Sequence, residues 1–403
     1  MKNLLYKIFL ILLLILPVSI FAYDFGLIIN ENDGFGNAVS EDNAFDFKID
    51  ILPRFSTLIG DNGEFIISAG FSFGKENEEF FYIPELLRTE FSMRFGDSGI
   101  KVGRINYSDP LSFIANGLFD GVQYYYNSGA GSFRFGAWYT GFQYKKRANI
   151  AMTEDDQENL LIPTDDFDTY FASKRAFASV GWEHPSVGEF LHLNTAVIGQ
   201  VDLNGTDTDY HSQYVILKVT IPINNFLFEL GGSVEFSQQT VADENKFNTA
   251  FAGEIGLFLL FPSKFNTRLS FTGTIASGMV NDSVGAFIPI SGKEYGYILK
   301  SKIPGLSVFS LNYSSKFGNF LGGSFTASYF VRNDLGTFNS YPVTAENDGY
   351  FLGPEASARI TWSPASDLQF NLGGGAFFPS LGDAGPKEDI KWRVDLSVIL
   401  SLL

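Results

Sequence analysis

The chain has 403 residues, no cysteine and a formal net charge of −17, with 16% aromatic and only 18% charged residues. The missing cysteines exclude disulfides and thiolate metal sites, so stability must come from backbone pairing and packing. The acidic balance argues against a nucleic-acid surface, and no internal run reaches the roughly 18 consecutive apolar residues of a membrane helix.

The first element is an export signal. Lys2 and Lys7 flank the start of an unbroken apolar run over 8–16, and 17–22 offers a cleavage region ending on Ala22. The run is too short for a membrane anchor, and Pro17 interrupts it. The expected division is a signal peptide over 1–22 and one domain over 23–403, since no Pro/Ser linker or composition break follows.

From residue 23 onward, short strand follows short strand. Eight compact turn signals stand at 59–63, 96–99, 128–131, 184–188, 222–225, 262–264, 316–319 and 363–366, each holding Gly, Asn, Pro or Asp between alternating apolar residues. Longer polar stretches lie between them, at 31–43, 75–82, 108–119, 146–171, 203–210, 239–246, 277–304, 333–349 and 379–388. Short and long connections alternate, as they do when one rim of a barrel faces the periplasm and the other the outside. The expected fold is therefore all-β: a transmembrane antiparallel β-barrel of 18 strands, within a range of 16–20, without a plug domain. Two places set that range. A hairpin hidden in 277–304 would make twenty, and loss of the first strand with a neighbour would make sixteen.

The strands assign their own faces, because successive side chains point oppositely. Apolar sets include Phe65, Ile67, Ala69, Phe71 and Phe73; Leu87, Phe91, Met93 and Phe95; and Phe265, Leu269, Phe271 and Ile275. The last segment places Ile390, Trp392, Val394, Leu396, Val398, Leu400 and Leu402 on one face and Lys391, Arg393, Asp395 and Ser397 on the other. A soluble sandwich alternates too, but its loops do not sort by length. A barrel of this size leaves an aqueous channel rather than a packed core.

The polar faces put Arg88, Arg94, Arg134, Arg268, Arg359 and Arg393 in the expected lumen, with Glu90, Glu229, Glu235, Glu254, Glu355 and Asp395. Two readings stand side by side. Each Arg pairs with a carboxylate on a neighbouring strand, or the arginines form a track for a passing anion such as an acidic sugar. Most of the excess negative charge falls in the long connections and is densest in 146–171, through Glu154, Asp155, Asp156, Glu158, Asp165, Asp166 and Asp168. That stretch is either a solvated acidic rim or a constriction loop folded into the pore. Its carboxylates suit calcium, yet no EF-hand spacing occurs, so no metal or other cofactor is expected.

Arg104 ends one strand, Asp109-Pro110 and Asp120-Gly121 are turn formers around the next loop, and Arg104 is near enough to pair with Asp109 or Asp120. The stretches GRINYSDP (103–110) and GLFDGV (117–122) resemble the corresponding hairpin of the alginate-export family of outer-membrane barrels. GPEASARITWSPASDLQFNLGGGAFFPSLGD (353–383), with the final strand, has a similar cast. The resemblance covers less than a fifth of the chain. It implies an eighteen-stranded barrel with an Arg-rich lumen passing an anionic polysaccharide, with Arg104, Asp109 and Asp120 at the loop anchor. One departure is the final Leu403, where outer-membrane insertion signals usually end on an aromatic.

No catalytic or metal spacing emerges from His184, His192 and His211, so an enzyme is not expected. The expected function is an outer-membrane channel, or porin, passing small hydrophilic solutes, anions or sugars among them. Its partners would be outer-membrane lipid, the solute and the barrel-insertion machinery, in the envelope of a diderm bacterium. The competing expectation is a surface binding protein or adhesin that presents acidic loops on a barrel mount.

Overall fold

The computed structural model describes residues 23–402 except for 39–42, 77–78, 165–166, 189, 206–207, 242–243, 263–264, 280–283, 336–337, 341–342, 346–347 and 385–388. The expected signal, 1–22, lies outside the described residues. The strands run β1 (Tyr23–Gly36), β2 (Ala44–Ile59), β3 (Gly63–Glu76), β4 (Glu79–Phe95), β5 (Ser98–Ser108), β6 (Asn116–Ser128), β7 (Gly131–Tyr139), β8 (Arg175–Val187), β9 (Leu191–Asp202), β10 (Thr208–Ile223) and β11 (Phe226–Val241). They continue with β12 (Glu244–Phe261), β13 (Thr267–Ala276), β14 (Glu294–Tyr295), β15 (Ser301–Lys302), β16 (Leu306–Lys316), β17 (Leu321–Arg332), β18 (Phe338–Ser340), β19 (Val343–Ala345), β20 (Phe351–Ala365), β21 (Leu368–Phe377) and β22 (Lys391–Leu402). Eighteen of these form a single sheet of antiparallel neighbours. The sheet closes because β22 pairs back onto β1, with Leu27 opposite Leu402 and Gly36 opposite Arg393.

Closure at eighteen settles the two open places in the count. Tyr23–Gly36 is a full barrel strand, paired on both edges. The stretch 277–304 does contain a hairpin, but β14 and β15 are only two residues each and pair with one another apart from the barrel sheet. The long/short alternation is less clean than the polar runs imply. The ladder takes in 75–76 and 79–82, and 239–241 and 244–246, so the pairing of β3 with β4 extends to Glu76 opposite Glu79 and that of β11 with β12 to Val241 opposite Glu244. Polar residues end the apolar band without ending the strand, because backbone pairing is indifferent to what the side chain meets.

The outer face carries a continuous apolar band. Phe73, Phe95, Leu230, Phe271, Leu311 and Ile360 are all exposed, as are Trp362, Val394, Leu396 and Leu402 of the later strands. An apolar surface circling the whole wall is stable against hydrocarbon and not against water. One assignment changes: Leu87 belongs to the inner face. A register shift opposite Ser68 and Ala69 leaves Leu87 without a cross-strand partner, and its side chain lies beside Leu52 over the lumen side of Gly70. A bulge adds one residue and so reverses the parity of everything beyond it.

The wall is also split. β3 pairs with β4 as far as Glu79, but β4 and β5 pair only from Thr89/Arg104 to Phe95/Ser98. At the fork Gly103 has φ +112, and a Cβ there would sit 1.7 Å from the Thr89 carbonyl oxygen. Only glycine allows the strands to approach that closely and then part.

A charge introduced at mid-height should separate the two faces. Leu230→Arg, which points outward, should destabilise the folded barrel in lipid vesicles by about 2–4 kcal/mol. Ser397→Arg, on the inner face between Asn32 and Asn371, should change the urea midpoint little.

Candidate functional site: a lumen narrowed from within

Three segments fold into the barrel and decide what remains open. The first is the hairpin loop after β5. Arg104 makes a bidentate pair with Asp120, Nε to Oδ1 at 2.9 Å and Nη2 to Oδ2 at 2.7 Å, and also donates to the carbonyls of Leu86 and Phe142. Tyr170 adds a hydroxyl bond to the Pro84 carbonyl at 2.8 Å. Leu86 and Pro84 lie on the part of β4 that β5 has left, so side chains cap backbone oxygens that a neighbouring strand would have satisfied. Asp109 does not pair with Arg104, contrary to one of the two expectations. It accepts from the backbone N–H groups of Leu111, Ile114 and Ala115 at 2.8–2.9 Å, shaping the turn that carries Leu111 and Phe113 into the lumen. Burial raises the Asp109 pKa above its ordinary value, and these donors offset part of that rise.

The second segment runs from 140 to 174. Its helix Glu154–Leu161 starts with a capping box in which the Thr153 hydroxyl accepts from the Asp156 N–H and the Asp156 carboxylate accepts from the Thr153 N–H. Asp156 is fully buried and also takes the Arg175 guanidinium at 2.6 Å, while Arg175 reaches Asp202 at 2.7 Å. This charged cluster holds the segment inside, together with buried Ile150 and Met152. Lys145 is buried beside it, donating to the Ile162 carbonyl at 2.7 Å, and burial lowers its pKa. The acidic run therefore divides. Asp156 is structural; Glu154, Glu158 and Asp168 are exposed; Asp155 is half-buried; Asp165 and Asp166 lie outside the described residues.

The third segment, 284–304, crosses the interior as a strap with one carboxylate at each end. Glu235 of β11 accepts from the Ile288 N–H at 2.8 Å and from the Tyr210 hydroxyl at 2.7 Å. Glu355 of β20 accepts from the N–H groups of Tyr297, Ile298 and Leu299 at 2.5–3.0 Å. Gly296, with φ +90, lets the strap turn against Glu355, where a Cβ would meet the carboxylate at 2.9 Å. Tyr297 also donates to Asp395 of β22. Midway, the Ile290 N–H donates to the Ile114 carbonyl at 2.8 Å and Asn149 donates to the Gly292 carbonyl at 2.9 Å, locking all three segments together.

Around this partial filling, lumen-facing charges form short ion-paired groups. Arg88 and Lys101 share Glu90, at 2.5 and 3.0 Å. Arg134 pairs with Glu183, which also meets His192. Lys218 lies between Glu229 and Glu254 at 3.0 and 2.9 Å. Arg393 joins Asp46 at 2.5 Å and Asp395 at 2.6 Å. Among the described residues no ion pair holds Arg94, Arg268 or Arg359. Arg94 stands beside the 96–97 turn, opposite Gly99, and Arg268 lies over the Phe258 ring at 4.5 Å. Cavities of about 760, 410 and 310 Å³ remain. The largest is lined by Lys48, Glu76, Glu85, Lys146 and Arg147 on the long-loop side, and the second by Lys101, Gln123, Tyr125, Arg134 and Asn194 toward the turns.

Sequence reasoning did not select Arg175, Asp202, Lys218, Lys101, Asp46 or Tyr297. Arg175 and Asp202 are cross-strand partners, so the signal was present in the register of β8 and β9 and invisible without it. Replacing Arg175 with Leu leaves Asp156 and Asp202 buried without their cation, a change that costs about 3–5 kcal/mol. The outcome should be release of the helix, read as new protease cleavage within 150–164 on a barrel that otherwise keeps its heat-resistant mobility.

No protein-family model and no curated protein matches this chain. Its architecture does match solved Pseudomonas aeruginosa structures. OccK2 (OpdF) aligns with TM-score 0.62 at 12% identity, over 94% of this chain and 98% of that chain. OccK2 in complex with glucuronate aligns with TM-score 0.59, at the same identity and coverage. The outer membrane protein OpdK aligns with TM-score 0.57 at 10% identity, over 94% and 98%. Likeness at such low identity concerns the fold: these are closed β-barrels built along the same path.

Proposed function

We propose that this barrel is an outer-membrane channel for small hydrophilic solutes, anions or sugars among them, exported by a signal peptide over 1–22 and inserted by the barrel-assembly machinery. The observation that carries the reading is the division of the wall. An apolar band faces outward all round, and the inner face is charged or hydroxylated except where residues such as Phe177, Ile198 and Ile216 pack against the inward-folded segments, with cavities on both sides of those segments. A wall of this kind separates hydrocarbon from water, and eighteen strands enclose more space than their side chains fill. Three narrowing segments turn an open pore into a selective one, because a solute must exchange its hydration for side-chain contacts as it passes.

Solved barrels of similar architecture support the reading, and the OccK2 structure with glucuronate gives it a chemical direction, since glucuronate is an acidic sugar. The candidate lining residues are Arg88, Glu90, Arg94, Arg134, Glu229, Arg268, Glu355, Arg359 and Arg393. Their roles differ, however. Arg88, Arg134 and Arg393 are compensated by carboxylates and Glu355 is occupied by the strap, which leaves Arg94, Arg268 and Arg359 as candidates for steering an anion.

Purified protein in planar bilayers should give steady conductance in KCl; folded protein that leaves the membrane sealed refutes the channel. Arg359→Ala and Arg94→Ala should each move the reversal potential under a salt gradient toward cation preference. Glu355→Ala removes the acceptor of three strap N–H groups and should raise conductance with larger open-channel fluctuations, because the strap loses its hold on β20.

A further inference from the structure

The inner face of β13, β16, β17 and β20 carries a hydrogen-bonding grid without free carboxylates. Register aligns it in rows. Ser270, Asn312, Thr326 and Ser357 stand opposite one another on successive strands. One row nearer the long loops are Thr272, Ser310, Ser328 and Glu355, and one row nearer the turns are Arg268, Ser314, Ser324 and Arg359. Adjacent strands lie roughly 4.8 Å apart and successive inward residues roughly 6.8 Å apart, so the rows form a regular lattice. The only carboxylate in it is Glu355, whose oxygens are committed to the strap.

Partners within the lattice tie neighbouring groups together. Ser310 and Ser328 hydroxyls meet at 2.8 Å, and Asn312 Nδ2 donates to Thr326 Oγ1 at 2.6 Å. Each bond fixes an orientation and leaves lone pairs or a second N–H for the lumen. Asn312, Thr326 and Ser357 are half-buried, so they remain reachable from it. Beside the lattice, the ring of Phe258 lines the 310 Å³ cavity together with Thr272 and Ser310, and with the charged Glu229, Glu254, Lys293 and Glu294 outside the lattice. Gly256 makes room for that ring, since a Cβ there would meet it at 2.7 Å.

We propose that this arc is a binding track for a polyhydroxylated solute, a sugar ring. The proposal rests on the channel reading above and names the solute class for it. A sugar ring offers hydroxyls that both donate and accept along its rim and an apolar C–H face. The lattice supplies groups that also donate and accept, and the Phe258 ring beside it holds the Arg268 guanidinium over its face. A carboxylate-lined wall would favour cations, and a wall of unpaired arginines would favour any anion. Here the charged groups of the lattice are Arg268 and Arg359 at the ends of one row and Glu355, held by the strap, at the end of another, and the middle recognises hydroxyls.

The test uses full-length mature protein in planar bilayers with KCl as carrier and maltotriose as probe. Maltotriose should reduce the current in a concentration-dependent way, and the near-isosteric triple variant Asn312→Leu, Thr326→Val, Ser357→Ala should weaken that block roughly tenfold while its KCl conductance stays close to wild type. Retained conductance shows that the variant has folded. Glucuronate separates ring from charge: Arg268→Gln with Arg359→Gln should weaken its block and leave that of maltotriose unchanged. A conducting wild type that maltotriose does not block overturns the proposal, as does equal block in the triple variant. Folded protein that carries no KCl current removes the channel itself, a different failure.

Discussion

Backbone hydrogen bonding in hydrocarbon is the constraint from which the rest follows. No water is available there to satisfy an orphan N–H or C=O, so a spanning sheet must close on itself. Here closure is the pairing of β1 with β22, and every fold-level property comes with it: an even strand number, Tyr23 and Leu402 both at the turn rim, one dry face and one wet face. The exception shows the rule most clearly. Where β4 and β5 part, the carbonyls of Leu86 and Pro84 receive the Arg104 guanidinium and the Tyr170 hydroxyl instead of a strand. The Arg104–Asp120 pair is thus part of the wall, and its charge is neutralised where it is buried.

Inside, the same accounting of polar groups determines which segments enter the lumen. The hairpin loop, the 140–174 segment and the strap bring backbone into a half-filled interior. They are held by carboxylates that accept two or more N–H or O–H donors: Asp109, Asp156, Glu235 and Glu355. A carboxylate with two oxygens and several lone pairs organises a loop better than a neutral acceptor, because each bond is charge-assisted. This is why so many acids that face the lumen are not available to a solute. The charges that remain in play are fewer than the inward-facing count implies, and between Arg268 and Arg359 the wall is nearly all hydroxyl and amide.

Residue by residue, legibility followed periodicity. The final segment, 390–402, is a plain case: seven alternate apolar residues, of which Ile390, Val394, Leu396 and Leu402 are exposed and Trp392, Val398 and Leu400 half-buried. Leu87 failed because one bulge shifted parity, and a bulge leaves no mark in hydrophobicity. The stretches 75–82 and 239–246 read as loops because polar residues dominate them, yet 75–76, 79–82, 239–241 and 244–246 are in the ladder. Asp109 and Asp120 were equally good partners for Arg104 on spacing. The cross-strand register decided between them, placing Asp120 directly opposite Arg104 and leaving Asp109 beyond the end of β5. Arg175 and Asp202 carried no signal of their own and Asp156 read only as one acid of a dense acidic run; the three became one buried cluster only when the 140–174 segment folded inward.

The sequence by itself determined a barrel: alternation with period two, repeated turn residues and a charged inner face each depend on neighbours a few residues apart. Tertiary structure alone decided what the lumen contains. Which arginine finds a carboxylate, which acid is consumed by a loop and which hydroxyls line up in rows depend on register between strands and on where the long connections come to rest. Those are relations between residues tens to hundreds of positions apart, and no local pattern encodes them.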